Sequence, residues 1–169
     1  MTRQNTSRAT RTSPKRIAIQ GRKVSNMPRA DQNLPTVLVV DDEPAILRML
    51  AEVLAMNGIA VLTAGGGAAG VKTYRQQQET ISLVLLDVQM PPPCDGPQML
   101  IELQQVNPLV RVAFMSGSTG RYSAAELLEL GALRVFDKPF GSLPAFASDL
   151  KELIARTQPK RHAGSEGPP

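Results

Sequence analysis

Apolar residues in this chain gather into short runs, most of which end on a polar residue. Thr36-Val37-Leu38-Val39-Val40 runs into Asp41-Asp42, Leu83-Val84-Leu85-Leu86 into Asp87, and Val112-Ala113-Phe114-Met115 into Ser116. Val135-Phe136 leads through Asp137 to Lys138-Pro139, and Ala60-Val61-Leu62-Thr63 is a further short run. Continuous apolar runs bounded by turn or polar residues predict strands buried on both faces of a parallel sheet.

Between these runs the spacing turns helical. Ile46, Met49, Leu50, Val53 and Leu54 share one face that stops at Asn57-Gly58. Pro44 suits the first turn of that helix, with Glu43 near its positive end. Gly65-Gly66-Gly67 predicts a flexible turn before a weaker helix, from Ala68 to about Gln77, carrying Val71 and Tyr74. Met90-Pro91-Pro92-Pro93-Cys94-Asp95-Gly96 can only be a loop, and Met99, Leu100, Leu103 and Val106 mark a helix stopped by Asn107-Pro108. Ser123 to Leu130 is a short helix closed by Gly131, and a last helix buries Leu143, Phe146, Leu150, Leu153 and Ile154. Five strand–helix units predict an α/β fold with a doubly wound five-stranded parallel sheet.

Composition narrows the class. The 169 residues suit one domain with room for a tail. Aromatics are only 4% and Trp is absent, so the core must be aliphatic. The single cysteine, Cys94, excludes an intramolecular disulfide framework and fits a reducing, cytoplasmic location. No apolar stretch approaches the roughly 20 residues of a membrane span.

The net charge of +4 is unevenly placed. Residues 1–33 hold eight Lys/Arg against one Asp, a net +7, whereas the rest holds eleven against fourteen acids, a net −3. Residues 1–34 lack periodicity and are expected to be a disordered basic tail. Residues 35–157 form the folded domain, and 158–169 a flexible C-terminal tail. The basic tail has the composition of an organelle transit peptide and is the one route by which nucleic acid could bind.

In open parallel sheets the ligand crevice lies outside the carboxyl ends of the strands. Asp41, Asp42, Asp87, Ser116 and Lys138 would meet there. An all-oxygen carboxylate set is the kind Mg²⁺ prefers. Without a cation, three close carboxylates repel and at least one pKa should rise. A carboxylate can also attack phosphorus to give an acyl phosphate, with Lys138 as a counter-charge. The Gly65–Gly67 run lacks the Lys-Ser/Thr of a phosphate-binding loop. The sole histidine, His162, lies in the C-terminal tail, so the core offers no histidine to pass on a phosphoryl group, and the donor must be another protein or a small acyl phosphate.

As a set, in order and spacing, these residues resemble the receiver domain of two-component response regulators. They are Asp41-Asp42 after Val-Leu-Val-Val, Asp87 followed by Met90-Pro91, Ser116, and Lys138-Pro139-Phe140; the likeness covers about residues 35–157. It implies a flavodoxin-like, CheY-like sheet of strand order 2-1-3-4-5. It also implies Asp87 as phosphoacceptor, and a Mg²⁺ site made by Asp42 and Asp87, by Asp41 through water, and by the backbone carbonyl of Gln89. Lys138 would contact the phosphoryl group and Ser116 would swing in to bond it; the Lys138-Pro139 peptide is expected to be cis. The implied partners are a sensor histidine kinase or histidine phosphotransfer protein, a downstream protein target, and a second copy as a homodimer. Only about a dozen residues follow the last helix, so the expected form is a stand-alone regulator, not an enzyme, that signals by protein contact.

Two positions depart from the family pattern. An aromatic residue usually stands three before the lysine, where this chain has Val135 with Phe136 beside it. The loop after Asp87 is one residue longer than usual. These departures leave a constitutive receiver-like scaffold as the alternative. An aspartyl-nucleophile phosphohydrolase would want a second Asp two residues after the first, where Gln89 stands.

Overall fold

The computed structural model describes residues 34–117 and 121–157. The expectations for the basic tail, apart from its last residue Leu34, and for the C-terminal tail (158–169, with His162) fall outside the described residues.

Ten elements alternate along the chain: β1 Thr36–Val40, α1 Pro44–Met56, β2 Ala60–Ala64, α2 Gly67–Gln77, β3 Ile81–Asp87, α3 Gly96–Val106, β4 Val112–Gly117, α4 Ala124–Glu129, β5 Arg134–Lys138 and α5 Leu143–Thr157. The five strands form one sheet of order β2-β1-β3-β4-β5, with every pairing parallel. This is the doubly wound α/β architecture that the alternation predicts.

Side chains alternate across each strand, so the two sheet faces take different residues. Val37, Val39, Leu83, Leu85, Ala113, Met115 and Phe136 pack beneath Leu50 and Leu54 of α1 and Phe146, Leu150 and Ile154 of α5. Leu38, Val40, Val84, Leu86, Val112 and Phe114 pack on the other face, beneath Val71 and Tyr74 of α2, three apolar residues of α3, and Leu127 of α4. All seven residues of β3 are buried. That central strand can end only where its polar terminal residue finds partners.

The helix boundaries have local causes. Pro44 opens α1, where a missing N–H costs no bond. Asp95 caps α3 by accepting from the Gln98 N–H while the Gln98 side chain accepts from the Asp95 N–H. Asp95, placed by the sequence in the loop before Gly96, is therefore the N-cap of α3. Ser123 and Glu126 make the same reciprocal pair at α4. Gly131 then supplies the left-handed conformation (φ 106°) that ends the turn after α4. No described helix is long and apolar enough to cross a membrane.

Candidate functional site

Sheet register brings the polar strand ends to one level. Val40 pairs with Leu86, so Asp41 and Asp87 follow side by side on neighbouring strands. Asp87 pairs with Met115, Ser116 with Asp137, and Gly117 with Lys138. From β5, Lys138 reaches past the end of β4. Its Nζ donates to Asp87 Oδ1 at 2.8 Å and to Asp41 Oδ2 at 2.7 Å.

Both acids are withdrawn from water: Asp41 is 0% and Asp87 6% exposed. Asp41 is held by a tight local turn, its Oδ1 accepting from the Glu43 N–H at 2.9 Å, and its own N–H donates to the Ala64 carbonyl at 3.1 Å. That arrangement fixes one oxygen inward toward Lys138. Asp42 is exposed. Asp41, Asp42 and Asp87 can nevertheless each present a carboxylate oxygen within 4.8 Å of the others.

The electrostatics are asymmetric. Burial raises the pKa of Asp87; the Lys138 bond and charge pull it down, and the Asp41 and Asp42 charges add to the rise. Burial acts against the Lys138 ammonium, but its bonds to Asp41 and Asp87 outweigh this and its pKa is raised. One ammonium between two buried carboxylates is well neutralised, while each acid has only a share of it.

The loop after Asp87 folds back closely. A Cβ at Gly96 would collide with the Asp87 carbonyl, and the Gly96 N–H donates to the Val88 carbonyl at 3.2 Å. Only glycine lets α3 begin against the end of β3. Cys94 is buried here, with burial first and then Glu102 and Asp95 raising its thiol pKa, so it is held as the neutral thiol.

The sequence-selected residues do not all meet. Asp41, Asp87 and Lys138 are in direct contact, and Asp42 is within reach of the same cluster. Ser116 stands at the end of the adjacent β4, but its hydroxyl donates to the Gly117 carbonyl at 3.1 Å. Gln89 is exposed and lines a separate pocket of about 380 Å³ with Val88, Met90, Pro92, Pro93, Arg121 and Tyr122. The Lys138-Pro139 peptide is cis. A second cis peptide, Pro92-Pro93, lies in the longer loop; a row of three prolines does not reveal which bond isomerises. Val135 packs toward the α4 face. Phe136 faces the opposite layer, edge-on to Phe146 at 4.9 Å with the Arg134 guanidinium 4.8 Å over its ring. The neighbouring aromatic therefore cannot stand in for the missing one. Glu43 is legible in the sequence only as an acid at the start of α1; that its N–H orients Asp41 leaves no residue-type signal, because the donor is backbone.

Three carboxylates and an ammonium at the carboxyl edge of a parallel sheet form an oxygen-rich cluster of the kind suited to a divalent cation and a phosphoryl group. The sequence model described as the response regulator receiver domain matches residues 37–151. "Probable transcriptional regulatory protein TcrX" of Mycobacterium tuberculosis is 33% identical over 131 residues, 78% of this chain and 54% of that protein. "Sensor kinase CckA" of Brucella abortus is 31% identical over 121 residues, 72% of this chain and 13% of its own length. The chain thus spans about half or less of these relatives. Among solved structures, a response regulator receiver domain protein from Clostridium thermocellum superposes with a TM-score of 0.67 at 27% identity, covering 73% of this chain and 96% of that one. The chain belongs to the response regulator receiver domain family.

Proposed function

We propose that residues 35–157 of this chain are a response regulator receiver that takes a phosphoryl group on Asp87 from a histidine kinase or a phosphotransfer protein. Receiver domains are signalling modules and not enzymes in the ordinary sense; they bind Mg²⁺ at an acidic pocket and interact with histidine kinases and downstream effectors. The observation that carries the reading is the buried Asp41–Lys138–Asp87 cluster, with both ion pairs under 3 Å.

Asp41, Asp42 and Asp87 fit a Mg²⁺ ion as an all-oxygen donor set, which the backbone carbonyl of Gln89 would complete. When bound, the cation supplies positive charge to the oxygens of the transferring group. An Asp87 oxygen attacks phosphorus in line, and its new P–O bond forms as the bond to the donor's imidazole nitrogen breaks. Lys138, already touching Asp87, is placed to follow the arriving negative charge. The Ser116 hydroxyl then exchanges its bond to Gly117 for one to a phosphoryl oxygen, drawing the end of β4 inward. Signalling proceeds by protein contact with a downstream target in the cytoplasm, either as a monomer or through a homodimer.

Intact mass after incubation with acetyl phosphate and Mg²⁺ tests this directly. One added phosphoryl group is expected, absent without Mg²⁺ and absent in Asp87→Asn. An adduct that persists in Asp87→Asn would move the acceptor elsewhere, and no adduct under any condition would reject the reading.

A further inference from the structure

At the opposite end of β3 from Asp87 lies a second polar pocket, of about 170 Å³. Its walls are the end of α2 with the turn after it (Tyr74, Gln78, Glu79), the start of β3, and the turn from Asn107 to Arg111 that enters β4. That turn is rigid. The Leu109 N–H donates to Asn107 Oδ1 at 2.9 Å, the Val110 N–H to the Asn107 carbonyl at 2.9 Å, and the Arg111 carbonyl accepts from Val84 at 2.8 Å.

Among the described residues, two hydrogen-bond donors on residues lining this pocket lack acceptors. Arg111 Nη1 is buried and has no hydrogen-bond partner among the described residues. The Tyr74 hydroxyl, on a residue 3% exposed, accepts from Asn107 Nδ2 at 3.1 Å. Asn107 thereby takes a lone pair of that oxygen, and among the described residues the phenol proton reaches no acceptor. Burial raises the Tyr74 pKa, while the Asn107 bond and then the Arg111 charge lower it and Glu79 raises it slightly, so the phenol is the neutral donor.

Water could accept from both groups, and a polar pocket of this size has room for several molecules. Water leaves the guanidinium uncompensated, however, and a partly buried cation favours an anion that also accepts hydrogen bonds. Glu79 is the one carboxylate in the lining; it is exposed and makes no ion pair with Arg111. We propose that this pocket binds a small oxyanion, a phosphate or carboxylate group, held by the Arg111 guanidinium and the Tyr74 hydroxyl. The site is independent of Asp87 and of phosphotransfer.

The test is a titration of the full-length, Mg²⁺-free protein with inorganic phosphate and, separately, with citrate, at constant ionic strength in chloride. Backbone amide shifts are read at residues 74–79 and 107–111. Saturable shifts at those amides are expected with at least one probe, and the probe that responds assigns the group as phosphate or carboxylate. Arg111→Gln should weaken binding at least tenfold and Tyr74→Phe several-fold. The exposed Glu79→Gln, which cannot disturb the core, should tighten it several-fold by removing a like charge. Absence of saturable shifts with both probes, or an unchanged affinity in Arg111→Gln or in Glu79→Gln, would overturn the proposal and leave the pocket to water.

Discussion

Lys138 is one cation serving two acids, and it serves them unequally. Asp41 also accepts from the Glu43 N–H, whereas among the described residues the Asp87 side chain has Lys138 alone. Burial therefore wins at Asp87 and its pKa is raised. A carboxyl whose pKa rises on folding costs stability when ionised. That cost is fully present above the folded pKa and vanishes as pH falls below the unfolded value. Asp87→Asn should accordingly stabilise the metal-free protein at pH 7, by about 1 kcal/mol after the weakened Lys138 contact is set against the relieved burial. Calorimetry across pH should show the gap to wild type closing as the buffer enters the carboxylate range; a variant less stable at pH 7 would mean that pairing outweighs burial. Lys138→Met should act in the opposite sense. It strands two buried carboxylates and should cost about 3 kcal/mol without metal, much of it recovered in Mg²⁺. An equal loss with and without Mg²⁺ would exclude competition between the ammonium and a cation for the same oxygens.

At the scale of elements, close packing sets the tolerances. Two glycines of α2 face different neighbours. A Cβ at Gly67 would lie 2.6 Å from the Cys94 carbonyl and 2.7 Å from its sulfur, whereas at Gly70 it would meet the Met99 methyl at 2.5 Å. The carbonyl belongs to a loop pinned by its prolines, but the methionine end can rotate away. Gly67→Ala should therefore cost about 2 kcal/mol and Gly70→Ala clearly less, the alanine's helix propensity offsetting part of the strain. Equal losses in denaturant melts would mean that the loop yields as easily as the side chain. The same packing explains what could be read in the sequence. Strand ends were legible because buried strands must be apolar until they meet the crevice, so Asp41, Asp87, Ser116 and Lys138 stood out. Gly67 read as part of a flexible turn, and yet it is the first residue of α2, because its constraint comes from Cys94, far along the chain. The burial of Cys94 was hidden for the same reason. Phe136 stands beside Val135, where the family pattern has its aromatic, but strand alternation puts it on the α5 side.

At the scale of the whole molecule, one cluster ties together strands that are distant in sequence. Lys138 and Asp41 are 97 positions apart, and Lys138 and Asp87 are 51 apart. These pairs exist only when β1, β3 and β5 share the folded sheet. Any ligand that needs the same carboxylates together therefore binds the native chain and not the unfolded one, and stabilises it by mass action. Mg²⁺ at a hundredfold excess over its Kd should add about 2.7 kcal/mol, roughly 10 °C in melting temperature for a domain of this size. Asp42 separates this effect from general ionic stabilisation. It is exposed and makes no hydrogen bond or ion pair among the described residues, so Asp42→Ala should leave the metal-free melting temperature within the equivalent of about 0.5 kcal/mol of wild type. It should nevertheless remove most of the Mg²⁺ increment, because the proposed direct ligand is lost while the fold is untouched. If Asp42→Ala keeps the full increment, the cation acts on surface charge and the acidic cluster is not its site.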